Sequence, residues 1–97
     1  MLAQIRIYTI NRGELDNFLK HFEEEVMPLH KTAQWPIVST WVNRPQNEFI
    51  WIRTYENAAD LEAKTKAVQA ARAAANVEFG GNVAKMEIRE VELGPSA

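Results

Sequence analysis

The sequence predicts a ferredoxin-like α+β fold, β-α-β-β-α-β, in which a four-stranded antiparallel sheet carries two helices on one face. Two observations predict it. Apolar residues change from the period of two of a strand to the three-and-four step of a helix and back, twice along the chain. Turn-forming residues punctuate those changes, at Asn11-Arg12-Gly13, Arg44-Pro45-Gln46-Asn47 and Gly80-Gly81-Asn82. Ninety-seven residues fit one domain with one core, and the whole of 1–97 is read as that domain.

The first strand is predicted over Leu2 to Asn11, where Ile5 and Ile7 alternate against Arg6, Tyr8 and Ile10. The first helix follows from Glu14 to about Lys31, because Leu15, Phe18, Leu19, Phe22, Val26 and Leu29 share one helical stripe. Pro28 removes a backbone donor inside that pattern, so a kink is expected near Val26-Met27. Trp35-Pro36 ends the helical region, and strands over Ile37–Asn43 and Glu48–Tyr55 form a central hairpin. Asn57 is placed to cap the second helix, about Ala58 to Ala75, with Asp60 at the positive end of its dipole. Val83 to Leu93 reads as the last strand and Gly94 to Ala97 as a frayed tail.

Composition narrows the function. Hydrophobic residues make up 46% and charged residues 25%, the balance of a globular protein. A net charge of −2 with scattered Lys and Arg argues against nucleic acid. No stretch approaches the roughly 20 apolar residues of a membrane span, the start carries no signal-peptide pattern, and there is no cysteine for a disulfide, thiolate or zinc ribbon. A cytoplasmic location is expected.

Period-two alternation assigns Ile5, Ile7, Val38, Val42, Ile50, Ile52, Met86 and Ile88 to one sheet face and Tyr8, Ile10, Trp41, Phe49, Trp51, Tyr55 and Val91 to the other. If the helices cover one face, the other is still too apolar for water, which predicts a homodimer joined sheet to sheet.

Tyr8-Thr9-Ile10, Gly13-Glu14-Leu15, Phe18, Phe22, Met27-Pro28-Leu29-His30 and the aromatic strand ending Thr54-Tyr55-Glu56-Asn57 resemble the NIPSNAP family over roughly residues 1 to 75. The resemblance implies a dimeric α/β barrel. It also implies relatives among cofactor-independent antibiotic-biosynthesis monooxygenases, haem-degrading monooxygenases, muconolactone isomerases and polyketide cyclases, whose ligands sit between sheet and helices. The tract after the second helix departs from the pattern, being short and lacking a tryptophan-containing helical extension. Where the haem-degrading relatives carry a histidine early in the second helix, this chain has Lys64 or Thr65, which leaves haem without its axial ligand.

The residues that point to chemistry are few. Arg6 and Tyr8 share a face of the first strand, and Trp51, Arg53 and Tyr55 share a face of the third, so two arginines stand among aromatic rings fit to orient an anionic or phenolic ligand. The alternative is that Arg6 and Arg53 pair with Glu87 or Glu90 and the rings are core. The second helix presents Leu61, Thr65, Val68, Arg72 and Ala75 inward, a stripe thin enough to border a cavity or to pack closely through its alanines. His30, beside the expected kink, is the candidate for moving a proton, and as a surface residue near a helix end it would need no such role. His21 and Glu25 share a helical face, but two ligands define no metal site. Ser39 and Thr40 lack a base, and Gly80-Gly81 precedes a strand, so neither a nucleophile nor a phosphate loop is present.

These residues predict a pocket for a small apolar or aromatic compound. Arg53 or Tyr8 polarises an oxygen and His30 moves a proton, with Arg6, Trp41, Trp51, Tyr55, Thr65 and Arg72 as the binding residues and no metal or cofactor assigned. The reaction class is that of an oxygenase, isomerase or cyclase acting on an aromatic or polyketide-like compound. The competing reading is a non-catalytic dimeric binding or scaffold module.

Overall fold

The computed structural model describes residues 1–95. Its strands are β1 (Leu2–Ile10), β2 (Ile37–Asn43), β3 (Glu48–Tyr55) and β4 (Val83–Glu92), in the order β2-β3-β1-β4 with every pairing antiparallel. The first helical arm comes in three contiguous pieces: α1 (Leu15–His21), a π-helical turn (Phe22–Val26) and α2 (Met27–Thr32). The last helix is α3 (Ala58–Ala75). This is the predicted ferredoxin-like architecture, with boundaries moved by a residue or two. Of the predicted tail, Ser96 and Ala97 lie outside the described residues.

The break expected near Val26-Met27 is the π turn. Pro28 has no N–H to give to a carbonyl one turn back, and the wider turn ahead of it absorbs the missing bond while the arm continues. The arm presses Leu15, Phe18, Phe22 and Val26 onto Tyr8, Ile10, Phe49 and Trp51. Phe22 lies 5.1 Å from Trp51 and 4.7 Å from Phe49, ring centre to ring centre, so the core is built largely of aromatic edges and faces. Asn57 caps α3 by accepting a bond from the Asp60 N–H at 2.9 Å. Once started, α3 is held loosely: none of its residues is fully buried, and it stands off the sheet.

Two bulges set which side chains face the helices. On β2, Ile37 pairs with Arg53 but Ser39 with Ile52, so Val38 is one residue too many and every position beyond it changes face. Trp41 therefore stands opposite Ile50 on the open face, 62% exposed, and not with the aromatic set predicted for it; Val42, opposite Phe49, lies on the helix side. On β4, Ile10 pairs with Val83 and Thr9 with Lys85, which shifts the strand in the same way. Met86 and Ile88 consequently oppose Tyr8 and Arg6 on the helix side, and Val91 opposes Ala3 on the open side, reversing the expected assignment of all three. The open face thus carries Ile5, Ile7, Ile50, Ile52, Trp41 and Val91, with the charged row Lys85, Glu87 and Arg89 along β4.

Candidate functional site

A cavity of about 270 Å³ lies between the sheet and the gap left by α3. Arg6 and Tyr8 of β1 and Trp51 and Arg53 of β3 form its floor. Val26, Leu29 and His30 of the first helical arm close one side, and Thr65, Val68, Gln69 and Arg72 of α3 the other. The irregular tract after α3 folds back across it: Asn76 turns the chain with a left-handed φ of 54°, and Val77 and Phe79 enter the wall, Phe79 edge-on to Tyr8 at 5.7 Å. His21 holds this tract, its Nε2 lying 2.8 Å from the Glu78 carbonyl oxygen while its Nδ1 meets Glu25 at 2.8 Å.

The floor is organised around two guanidinium groups. Arg53, 6% exposed, is sandwiched by the rings of Trp35 and Trp51, whose centres are 4.0 and 4.6 Å from its Cζ. Trp35 is fixed in that position by donating its indole N–H to the Thr54 carbonyl at 2.8 Å. Arg6 donates from Nε to the Tyr8 hydroxyl at 2.7 Å, leaving the phenolic hydrogen free to point elsewhere. Both arginines donate to one acceptor, Gln4 Oε1, from Arg6 Nη1 at 3.0 Å and from Arg53 Nη2. The pairing with Glu87 or Glu90 weighed as an alternative is not made. Glu87 is engaged by Lys85 and Arg89, and among the described residues no carboxylate lies within ion-pair distance of Arg6, Arg53 or Arg72. Burial, and then the charge of Arg6, push the Arg53 guanidinium down to about 10, which still leaves it charged at neutral pH. Two donors of this floor, Arg53 Nε and Trp51 Nε1, are buried without a partner.

His30 is 2% exposed. Its Nδ1 lies 3.2 Å from the Val26 carbonyl at the end of the π turn, and its Nε2 lies 3.3 Å from Arg53 Nη1. A carbonyl only accepts and a guanidinium only donates, so the ring is the tautomer with hydrogen on Nδ1 and a lone pair on Nε2. Desolvation pushes the imidazole down to about 4, with Arg53 and Arg6 adding to the effect and the Val26 carbonyl opposing it. His30 is accordingly neutral at physiological pH, its basic nitrogen turned toward the cation.

Seven of the nine residues singled out from the sequence border this cavity: Arg6, Tyr8, His30, Trp51, Arg53, Thr65 and Arg72. Two do not. Trp41 is on the opposite face of the sheet, and Tyr55, although buried on the helix side, lies beyond the cavity's end, opposite Leu2. Gln4 and Trp35 were missed. Gln4 shares the parity of Arg6 and Tyr8 and was legible on that ground, whereas Trp35 reaches Arg53 only through the left-handed turn at Gln34, φ 56°. Lys64, at the position compared with the haem relatives, is paired with Asp60 at 2.8 Å. Among the described residues no three His, Cys, Asp or Glu side chains gather as metal ligands, and no helix is long and apolar enough to cross a membrane.

The NIPSNAP family model matches residues 3–92. A NIPSNAP family protein of unknown function from Agrobacterium tumefaciens is 19% identical, with a TM-score of 0.81 over 94% of this chain and 86% of that one. An uncharacterised NIPSNAP-like domain protein from Burkholderia xenovorans is 15% identical, with a TM-score of 0.83 over 99% and 87%. A putative antibiotic biosynthesis monooxygenase from Nitrosomonas europaea, 9% identical, superposes with a TM-score of 0.66 over 95% and 97%. No curated protein matches the chain in sequence.

Proposed function

The chain belongs to the NIPSNAP family, and we propose that it is a homodimeric small-molecule-binding protein whose pocket takes an apolar, aromatic or polyketide-like compound bearing an oxygen. The observation that carries this reading is the uncompensated Arg53: a buried cation held between two tryptophans, with an Nε that has no partner among the described residues, beside a cavity that no acidic side chain among them borders. Burying a charge without a counter-ion costs several kcal/mol or more. A ligand oxygen that accepts from this floor offsets the cost.

The same floor is arranged for proton transfer. A ligand oxygen held by Arg53 and by the free hydrogen of the Tyr8 hydroxyl gains negative charge when an adjacent C–H or O–H bond breaks. Arg53 Nη1 turns from His30 Nε2 to the ligand oxygen, the proton passes to the freed Nε2, the electron pair remains on the ligand as an enolate or phenolate, and Nδ1 stays bonded to Val26. Desolvation is the main cause of the lowered His30 basicity and persists with a ligand bound; neutralisation of Arg53 and Arg6 by that oxygen relieves only the smaller part due to their charges. Loss of a proton to give an enolate or phenolate is the opening step common to a cofactor-free oxygenase, an isomerase and a cyclase. The resemblance in fold to the putative antibiotic biosynthesis monooxygenase from Nitrosomonas europaea supports the oxygenase member of that range.

Thermal unfolding across a panel of aromatic acids and polyketide-like phenols is the test. A ligand at 100 times its Kd adds about 2.7 kcal/mol of stability, so at least one panel member raises Tm in the natural chain and not in Arg53→Met. A panel with no stabiliser overturns the pocket.

A further inference from the structure

Building on that pocket, the chemistry of its walls specifies the occupant more narrowly. Three arginines border one cavity: Arg6 and Arg53 on the floor and Arg72 on α3. The acceptor shared by the two floor arginines is the amide oxygen of Gln4, which is 7% exposed. An amide brings two like charges together without neutralising either. The unmet hydrogen-bonding capacity is all of one kind, since both buried orphans, Arg53 Nε and Trp51 Nε1, are donors. Complementarity therefore asks for an acceptor with negative charge. A planar carboxylate matches a guanidinium and its flanking N–H groups better than a single hydroxyl does.

Arg72 supplies a second anchor. It is exposed at the rim, spends Nε on the Val77 carbonyl at 3.0 Å, and has no partner for its terminal nitrogens among the described residues. Between the floor and the rim the cavity is bordered mainly by Val26, Leu29, Val68, Val77 and the ring of Phe79, with the neutral polar side chains of Thr65 and Gln69 on α3.

We propose that the ligand is a two-ended, flat, apolar carboxylate, of the hydroxy- or keto-substituted aromatic acid class. Its carboxylate serves as the missing counter-ion of Arg6 and Arg53, and its second oxygen is met by Arg72.

Matched naphthalene probes separate the parts of this proposal by calorimetric titration of the full chain at pH 7.5 and low salt. 2-Naphthoate is expected to bind about tenfold tighter than the neutral 2-naphthamide, the range of one charge-assisted contact. 6-Hydroxy-2-naphthoate is expected to gain roughly a further threefold, lost in Arg72→Met. Gln4→Glu, nearly the same size, places a carboxylate between the two arginines. It is expected to raise Tm and to abolish the preference for acid over amide. Naphthamide binding as tightly as naphthoate overturns the anionic assignment while leaving the pocket in place, and no binding by any probe overturns the pocket as well. Persistence of the hydroxyl gain in Arg72→Met overturns the second anchor. Should Gln4→Glu fail to fold, the acid-to-amide ratio of the natural chain decides the matter unaided.

Discussion

His30 links the pocket to the stability of the whole chain. Its pKa stands near 4 in the folded protein against 6.5 as its ordinary value, so between those values the unfolded chain holds the extra proton. Stability therefore rises with pH from about 4 to 6.5 and is lost as pH falls through that window. The full contribution is on the order of 3 kcal/mol as an upper bound. Urea melts at steps across this range are expected to flatten in His30→Gln, and an unchanged slope would place the titration elsewhere. Arg53→Met presents the opposite balance. Replacing a buried cation that has no counter-ion with a thioether of similar length is expected to leave the free protein within about 1 kcal/mol of the natural stability, or above it. Ligand response is expected to vanish, as read from the midpoint with and without a stabilising acid. A loss of 3 kcal/mol or more in the free protein would mean that Gln4 and the two tryptophans compensate the charge on their own. Most of this site was legible from residue type and alternation: Arg6, Tyr8, Trp51 and Arg53 sit on adjacent strands with matching parity. What the sequence did not disclose was the partner. Nothing in the spacing of Gln4 says that one amide oxygen would serve two arginines, because that depends on β1 and β3 being in the register that pairs Gln4 with Arg53 and Arg6 with Trp51.

At the scale of an element, the first helical arm shows how a local defect positions a functional group. Pro28 follows the π turn at the start of α2. With it, the carbonyl of Glu24 loses its donor from position 28, the π turn ends at Val26, and the Val26 carbonyl lies 3.2 Å from His30 Nδ1. The kink could be read from Pro28 alone, but its form could not, since an i→i+5 turn and a sharp bend relieve the same missing donor. The second helix depends on its start. Asn57 accepts from Asp60, and Asp60 in turn accepts from the Glu56 N–H at 2.8 Å and pairs with Lys64. Because α3 buries no side chain fully, little tertiary packing backs up this cap. Asn57→Ala is expected to cost about 1 kcal/mol in denaturant melts and to increase hydrogen exchange of α3 ahead of the sheet. Uniform exchange across the molecule would show that α3 is better anchored than its burial indicates.

For the molecule as a whole, the open face poses the main question. Trp41 is 62% and Val91 40% exposed there, next to the half-buried Ile5, Ile7, Ile50 and Ile52, on a surface larger than single scattered apolar residues account for. The proposed sheet-to-sheet homodimer would cover it. Sedimentation at micromolar concentration is expected to give twice the mass of one chain, falling to a monomer in Ile50→Lys or Trp41→Glu, since a charge buried in such an interface is left without a partner. A natural chain that sediments as a monomer would rule the homodimer out. The outer face stays apolar on β1, β2 and β3 after Trp41 and Val42 exchange sides, whereas on β4 the exchange takes Met86 and Ile88 inward and leaves Lys85, Glu87 and Arg89 beside Val91 outside. Each strand carries apolar residues at both parities, which is why alternation alone could not assign the faces.

The extra residue at Val38 sets more than a local bend. Because of it Ile37 and Trp41, four positions apart in sequence, face opposite sides of the sheet: Ile37 packs against the core and Trp41 stands outside. A chain lacking Val38 would set Ser39 directly after Ile37, just as Ile52 directly precedes Arg53, and the ladder would run on unbroken. Trp41 would stay opposite Ile50 and Val42 opposite Phe49. Such a deletion is therefore expected to straighten the strand while leaving both surfaces of the sheet with the side chains they have.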